Sequence, residues 1–409
     1  MYLTSLLEFI LKDDAINVVD WRGRERRIGP GEPVCTLHIN HWRADCDLLT
    51  HPGLSVPVGF MEGMLSVSDG TVYDFFEAVS RNYNNLETHP LFRFLKLFDG
   101  ATAGQRNPLL RARKNVAHHY DLSGELYDLM LDPDKQYSCA YFTDSDISLE
   151  EAQYAKKRHI ASKLLLAPGQ KVLDLGCGWG GMGLYLAGLE DIDLTGITLS
   201  TEQKTTAAER AATAGLNNRV HFHLTDYREL DTRFDRVVSV GMFEHVGRQN
   251  YDEFFSKISE LLEEDGVMLL HSIGRFTEPC PINPFIRKYI FPGADLPATS
   301  EVCAAAERAG LLITDIEILR LHYAETLRAW RKRFYATKDR FRELYDERFC
   351  RMWELYLVIC EVGFRNQSLM VFQMQIAKNM ESVPLTRDYM FEWENAHVSD
   401  QRQSAAKTA

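Results

Sequence analysis

From about residue 136 the chain alternates short apolar runs with longer stretches of helical pattern. KVLDLG (171–176), DLTGITL (193–199), VHFHLTD (220–226), FDRVVSVG (234–241) and GVMLLHSIG (266–274) are rich in β-branched and apolar residues and have strand length. Intervening stretches such as TEQKTTAAERAATAG (201–215) predict helices. Alternation of this kind implies an α/β fold, a parallel sheet covered by helices. Two longer strands are predicted late, in LLITDIEILRL (311–321) and LMVFQMQIAK (369–378), separated by a helical insertion at about 325–367. The beginning of the chain is patterned differently. INVVDWRGRERRIGPGEPVCTLHIN (16–40) reads as short strands broken by Gly and Pro, and VYDFFEAVSRNYNNL (72–86) as a helix. These patterns divide the chain into a small N-terminal α+β accessory domain (1–98), a linker (99–115), a larger domain (116–390) and a disordered tail (391–409).

Composition narrows the function. At 409 residues the chain has room for two domains, and a net charge of −12 opposes nucleic-acid binding. Eight cysteines scattered over that length fit a reduced, cytoplasmic protein better than a disulfide framework. No apolar run approaches the ~20 residues that span a bilayer, and MYLTSLLEFILKDDA lacks the basic leader of a signal peptide. The basic run RAWRKRFYATKDRFR (328–342) is a candidate contact for an anionic membrane; the alternative is a solvated helix face.

The chemistry begins at KVLDLGCGWGGMGLYLA (171–187), which holds a G-x-G-x-x-G at Gly176, Gly178 and Gly181. In a parallel sheet such a loop lies at the carboxyl ends of the strands, where ligands bind. A dinucleotide would rest its pyrophosphate on the following helix and hold its ribose with an acid about 20 residues on. Here the second strand ends in GITLSTEQ, with the neutral groups of Thr198, Ser200 and Gln203. Asp174 stands inside the first strand, two residues before Gly176. A carboxylate there suits the ammonium of an amino acid, and so favours S-adenosylmethionine, which carries no phosphate. Asp226 and Tyr227, after the third strand, suit an adenine ring. A dinucleotide site, or a glycine turn serving only packing, stays open on these residues alone.

YSCAYF (137–142), LDLGCGWGG, GITLSTEQ, GMFEHVG (241–247), LLHSIG (269–274) and HYAETLRAWRKRF (322–334) occur in this order, preceded by HHYDLSGELYDLMLD (118–132). Together they resemble the cyclopropane fatty acid synthases and cyclopropane mycolic acid synthases, from about residue 116 to 378. GFMEGMLSVSDG (59–70) extends a looser likeness to the N-terminal domain of the longer bacterial enzymes. The resemblance implies the S-adenosylmethionine-dependent methyltransferase fold, a seven-stranded, mostly parallel sheet with helices on both faces. It implies methyl transfer to the cis double bond of acyl chains in membrane phospholipids, giving a cyclopropane ring. Peripheral contact with the inner face of the membrane, and lipid docking or homodimerisation by the N-terminal domain, follow as expectations.

Such chemistry needs a dry pocket and a base. Aromatic faces stabilise a carbocation, and Phe142, Trp179, Phe243 and Tyr289 are candidates, each with an ordinary core role as its alternative. The resemblance assigns the base to a bound bicarbonate ion held by Cys139, Glu244, His271, the backbone of Ile273, and Tyr323. For S-adenosylmethionine it assigns Tyr137 and Ser138 near the methionine, Asp174, Gly176, Gly178 and Gly180 in the loop, Thr198, Leu199 and Gln203 on the ribose side, and Asp226 and Tyr227 at the adenine. Cys35, His38, His41 and Cys46 have the residue types of a zinc site, but strand alternation would put Cys35 and His38 on opposite faces, so no metal is expected.

Overall fold

The computed structural model describes residues 2–44, 52–82, 85 and 124–398. The linker expected at 99–115, Cys46, and the polar end beyond 398 lie outside the described residues. The chain divides into two compact units. One comprises the described residues among Met1–Ala103 together with Cys280–Pro292 and Leu327–Leu369, and the other those among Gly104–Pro279, Gly293–Thr326 and Met370–Ala409. Most of the helical insertion thus belongs to the unit that contains the N-terminus, and the boundary falls within the helix His322–Ala336.

The first unit holds a four-stranded sheet of β1 (Ala15–Val19), β2 (Glu25–Ile28), β3 (Pro33–Ile39) and β4 (Leu65–Ser68), in the order β2-β1-β3-β4. Asp20 shapes the β1–β2 turn, its Oδ1 accepting from the backbone N–H of Arg22 and Arg24 at 2.9 Å each. Cys35 is buried in β3, while the His38 ring is hydrogen-bonded to Ser68 Oγ at 2.7 Å. The basic run is largely neutralised within this unit. Arg331 pairs with Glu361, Lys338 with Glu354, Arg340 with Glu343, and Arg342 with Asp339 and Glu347.

The second unit is built on β5 (Lys171–Leu175), β6 (Asp193–Thr198), β7 (Val220–Leu224), β8 (Phe234–Val240), β9 (Leu262–Arg275), β10 (Leu312–Ile318) and β11 (Leu369–Ala377). They form one sheet in the order β10-β11-β9-β8-β5-β6-β7. The pairs from β7 across to β9 are parallel, and β10–β11 is antiparallel. This is the seven-stranded, mostly parallel sheet expected from the sequence. β5 shows why its strands carry apolar residues on both faces. Leu173 and Leu175 pack into a core cluster with the helices Tyr251–Leu261 and Thr299–Arg308, whereas Val172 joins a second cluster with Gly181–Leu189 and Thr201–Thr213. The winding runs β5, β6, β7 in one direction and resumes at β8 on the other side of β5, so the switch point lies between β5 and β8.

The expected disorder from residue 391 is corrected: Asp388–Ala396 is a helix. Met390 is buried, Glu394 Oε2 lies 3.0 Å from Nδ1 of His159, and Trp393 stacks on His397 at 3.9 Å. Apolar and ionic anchors of this kind make local order worthwhile in a segment whose composition is polar.

Gly180 caps the helix Gly181–Leu189 in a left-handed conformation, φ +83°, and a Cβ there would lie 2.8 Å from Phe222 Cζ. Gly180→Ala should therefore lose at least the ~1–3 kcal/mol of left-handed strain, read as a lower Tm in thermal unfolding.

Candidate active site

Beyond the end of β5 the loop 176–180 closes back onto β6, the backbone N–H groups of Gly176 and Cys177 both donating to Ile197 O, at 3.0 and 2.9 Å. Gly176 (φ +84°) and Gly178 (φ +53°) are left-handed, the region in which glycine is favoured. A Cβ on Gly176 would lie 2.8 Å from the Met242 side chain, whereas one on Gly178 would point into open space. That space is a cavity lined by every residue named for the cofactor except Gly180, whose part is conformational. Gly181 lines it in place of Gly180.

The third glycine of the motif is set apart by its surroundings. A Cβ at Gly181 would run into the carboxylate of Asp134 and the amide of Gln136. A carboxylate of the protein itself, paired with Lys157 and Arg210, thus lies beside the first residue of the helix whose N-terminus would receive a pyrophosphate. Asp174 supplies the opposite preference. It is fully buried, lines the cavity, and its Oδ2 has no hydrogen-bond partner among the described residues. Burial pushes its carboxyl up to about 7, with the Gly183 backbone and the Lys156 charge pulling it back. A buried carboxyl in the lining of a cavity favours a cationic partner, and the ammonium of S-adenosylmethionine is one. Thr198 Oγ donates to Gln203 Oε1 at 2.7 Å, which leaves the Gln203 NH2 free to donate elsewhere than to Thr198. Asp226 is held bidentately by Arg228 at 2.8 and 2.9 Å, and the Arg228 guanidinium lies over the Tyr227 ring. Trp179 also lines the cavity, its Nε1 donating to Glu202 at 3.0 Å.

Lys156 carries no sequence signal of its role. It reads as a solvated helix residue, yet it is completely buried and donates to Gln136 Oε1 at 2.6 Å and to Ser138 Oγ at 2.8 Å. Gln153 donates to the carbonyls of Gln136 and Ser138 at 3.1 and 2.9 Å. The helix Leu149–Ser162 thereby pins the segment that carries Tyr137 and Ser138 against the cavity. Burial lowers the Lys156 ammonium to about 8.

The five residues assigned to the base do not line this cavity, although Cys139 follows the lining residue Ser138 and Glu244 precedes the lining residue His245. Glu244 and Ile273 are joined directly: the Ile273 N–H donates to Glu244 Oε1 at 2.7 Å. Glu244 Oε2 has no partner among the described residues, and burial lifts the carboxyl to about 7. The Cys139 thiol donates to Ala140 O at 3.3 Å, and burial pushes it far above its ordinary range, so it is a hydrogen-bond donor and not a thiolate nucleophile. The next residue, Ala140, donates its N–H to Thr326 Oγ at 3.0 Å, one helical turn beyond the buried Tyr323. His271 stands opposite Val240, the last residue of β8, and its carbonyl accepts from Gly241 N at 3.0 Å. Burial, followed by the Lys156 and Lys163 charges, holds its imidazole well below the usual histidine range, hence neutral. Cys139 and His271 are thus neutral, and the Glu244 carboxyl is poised between its two protonation states. Of the aromatic candidates, Phe243 is core, stacked on Tyr251 at 4.6 Å and set edge-on to Phe254.

Comparison with known proteins places this geometry in context. Residues 108–374 match the family described as mycolic acid cyclopropane synthetase. The chain is 42% identical over 284 residues to a cyclopropane-fatty-acyl-phospholipid synthase of Escherichia coli (strain K12), covering 68% of this chain and 73% of that one. It is 34% identical over 384 residues to a probable fatty acid methyltransferase of Pseudomonas putida, covering 91% and 95%. Among solved structures, the mycolic acid cyclopropane synthase CmaA1 complexed with SAH and CTAB superposes with a TM-score of 0.61 at 37% identity, covering 64% of this chain and 97% of that one.

Proposed function

The chain belongs to the mycolic acid cyclopropane synthetase family and is an S-adenosylmethionine-dependent methyltransferase, and from that footing we propose that it methylates the cis double bond of unsaturated acyl chains in membrane phospholipids and closes a cyclopropane ring. The observation that carries this is a pair of buried carboxyls, each raised to about 7 by burial, Asp174 in the lining of the cofactor cavity and Glu244 joined to the Ile273 N–H. Asp174, Tyr137, Ser138 and the glycine loop hold the methionine end of the cofactor, and Gln203 and Asp226 the nucleoside. Bound there, S-adenosylmethionine supplies an electrophilic methyl group. Methylation of an alkene leaves a carbocation, and ring closure then removes a proton from the new methyl group. We assign Cys139, Glu244, His271, the Ile273 backbone and Tyr323 to holding a bicarbonate ion, which supplies the base. Glu244 shares a proton with that ion, Tyr323 donates a hydrogen bond to it, and the Cys139 thiol turns from Ala140 O to do the same. The Ile273 N–H already donates to Glu244, so it orients that carboxylate.

Among the described residues no helix is long and apolar enough to cross a membrane. We place the enzyme in the cytoplasm, in peripheral contact with the inner face of the membrane, with the N-terminal unit serving lipid docking or homodimerisation. A second reading is a fatty-acyl C-methyltransferase whose cation yields a methylene-branched or otherwise methylated chain, as the name of the Pseudomonas relative allows. Incubation with vesicles of monounsaturated phospholipid and labelled S-adenosylmethionine decides between them. The expected product carries cyclopropane methylene protons by NMR. An isomeric product with vinylic protons establishes the second reading, and the absence of any labelled lipid removes both.

A further inference from the structure

His271, Gln373 and Glu317 form a polar row across three neighbouring strands, β9, β11 and β10, in a sheet that is otherwise largely apolar. Glu317 and Gln373 are direct partners in the antiparallel register. Lys163, which caps the end of the helix Leu149–Ser162, reaches into this row. Its Nζ donates to Gln373 Oε1 at 2.7 Å and to a carboxylate oxygen of Glu317, and that same oxygen lies 2.7 Å from Nε2 of His159. Lys163, Gln373 and His271 are all buried.

This arrangement leaves one orientation for the amide. An ammonium has only N–H groups to offer, so the Gln373 oxygen must face Lys163 and its NH2 must face His271. The NH2 lies 3.3 Å from Nδ1 of the imidazole. Nδ1 must then accept, which puts the ring proton on Nε2. We infer that Gln373 is a positioning residue that locks His271 in its Nε2–H tautomer, and that the Lys163–Glu317 pair holds Gln373 in the orientation required to do so. The imidazole consequently offers the reaction a donor at Nε2. Resting on the place given to His271 above, this makes it a hydrogen-bond donor to the bound anion and not the group that takes the proton.

Selective 15N-histidine labelling and long-range 1H–15N correlation spectra test the assignment in the intact enzyme, with the His271 signals identified by their loss in His271→Gln. The wild-type ring is expected in the Nε2–H pattern; an Nδ1–H pattern overturns the inference without recourse to any further variant. In Gln373→Glu a carboxylate faces Nδ1 and draws the proton there. That variant should show the Nδ1–H pattern and a turnover lower by about tenfold, the scale of one hydrogen bond, with S-adenosylmethionine affinity unchanged. Retention of cofactor affinity certifies the fold, and an unaltered tautomer in a cofactor-binding Gln373→Glu protein also overturns the inference. A switched tautomer with native turnover sustains the role of Gln373 and removes His271 from the proposed reaction instead.

Discussion

Glu244→Gln will lower turnover by about 10²–10⁴-fold, the range of a positioned acid–base group, and leave S-adenosylmethionine affinity near native. The amide keeps an oxygen for the Ile273 N–H, so the local backbone is undisturbed. What it loses is the capacity of the second oxygen to accept and release a proton. In the native enzyme, with this carboxyl raised to about 7 by burial, turnover should rise with pH through that value as the ionised form appears. The variant should lack this limb of the pH profile. Stability runs the opposite way. A carboxyl whose folded value exceeds its unfolded one binds more protons when folded, so its contribution is fully present below about 4.5 and is lost as pH rises through about 7. Glu244→Gln should accordingly be no less stable than the native enzyme at pH 8 in thermal unfolding. Single-turnover rates together with cofactor titration check both halves. Equal losses in turnover and affinity would contradict the assigned role.

Asp174→Asn should weaken S-adenosylmethionine binding by about 10–100-fold, corresponding to the ~1.5–3 kcal/mol of a hydrogen bond to a charged group. Burial raises the Asp174 carboxyl to about 7, and a cationic ligand favours its ionised form. Affinity should therefore increase as pH rises toward and through 7, with release of a proton on binding below that value. The gain should level off near 8, where the Lys156 ammonium, itself lowered by burial, begins to lose the charge that favours ionised Asp174. Calorimetry in buffers of different ionisation enthalpy measures the released proton directly. The Asn variant should show neither the pH dependence nor the proton, and a flat native profile would remove Asp174 from the ammonium contact.

The sheet was legible because its strands are apolar runs closed by turns, and because each strand end that matters carries a chemically distinctive group, such as Asp174 before Gly176. The spacing of the glycines could not show which one faces the ligand. Gly180 bends the backbone and Gly181 makes room for Asp134, and that distinction depends on neighbours contributed by other segments. The helix Leu149–Ser162 escaped for the same reason. Its run of Lys156, Lys157, Arg158 and His159 reads as a solvated face, but all four are buried. Their partners include Asp134, Glu317 and Glu394, the last of them 235 residues away from His159 along the chain. Pairing between distant segments leaves no periodic trace, so buried charge looks like surface charge until the chain is folded. The engagement of Ile273 by Glu244 was hidden in the same way, since a backbone N–H has no letter in the sequence.

Asp134 has a consequence for selectivity inside a cell. Although burial works against it, Lys157 and Arg210 hold this carboxyl below its usual range, so it stays anionic at the helix end. ATP and the nicotinamide coenzymes share the adenosine portion of the methyl donor and are abundant wherever metabolism runs. Each would find both of those cations already paired, which removes one source of attraction for phosphates at that place.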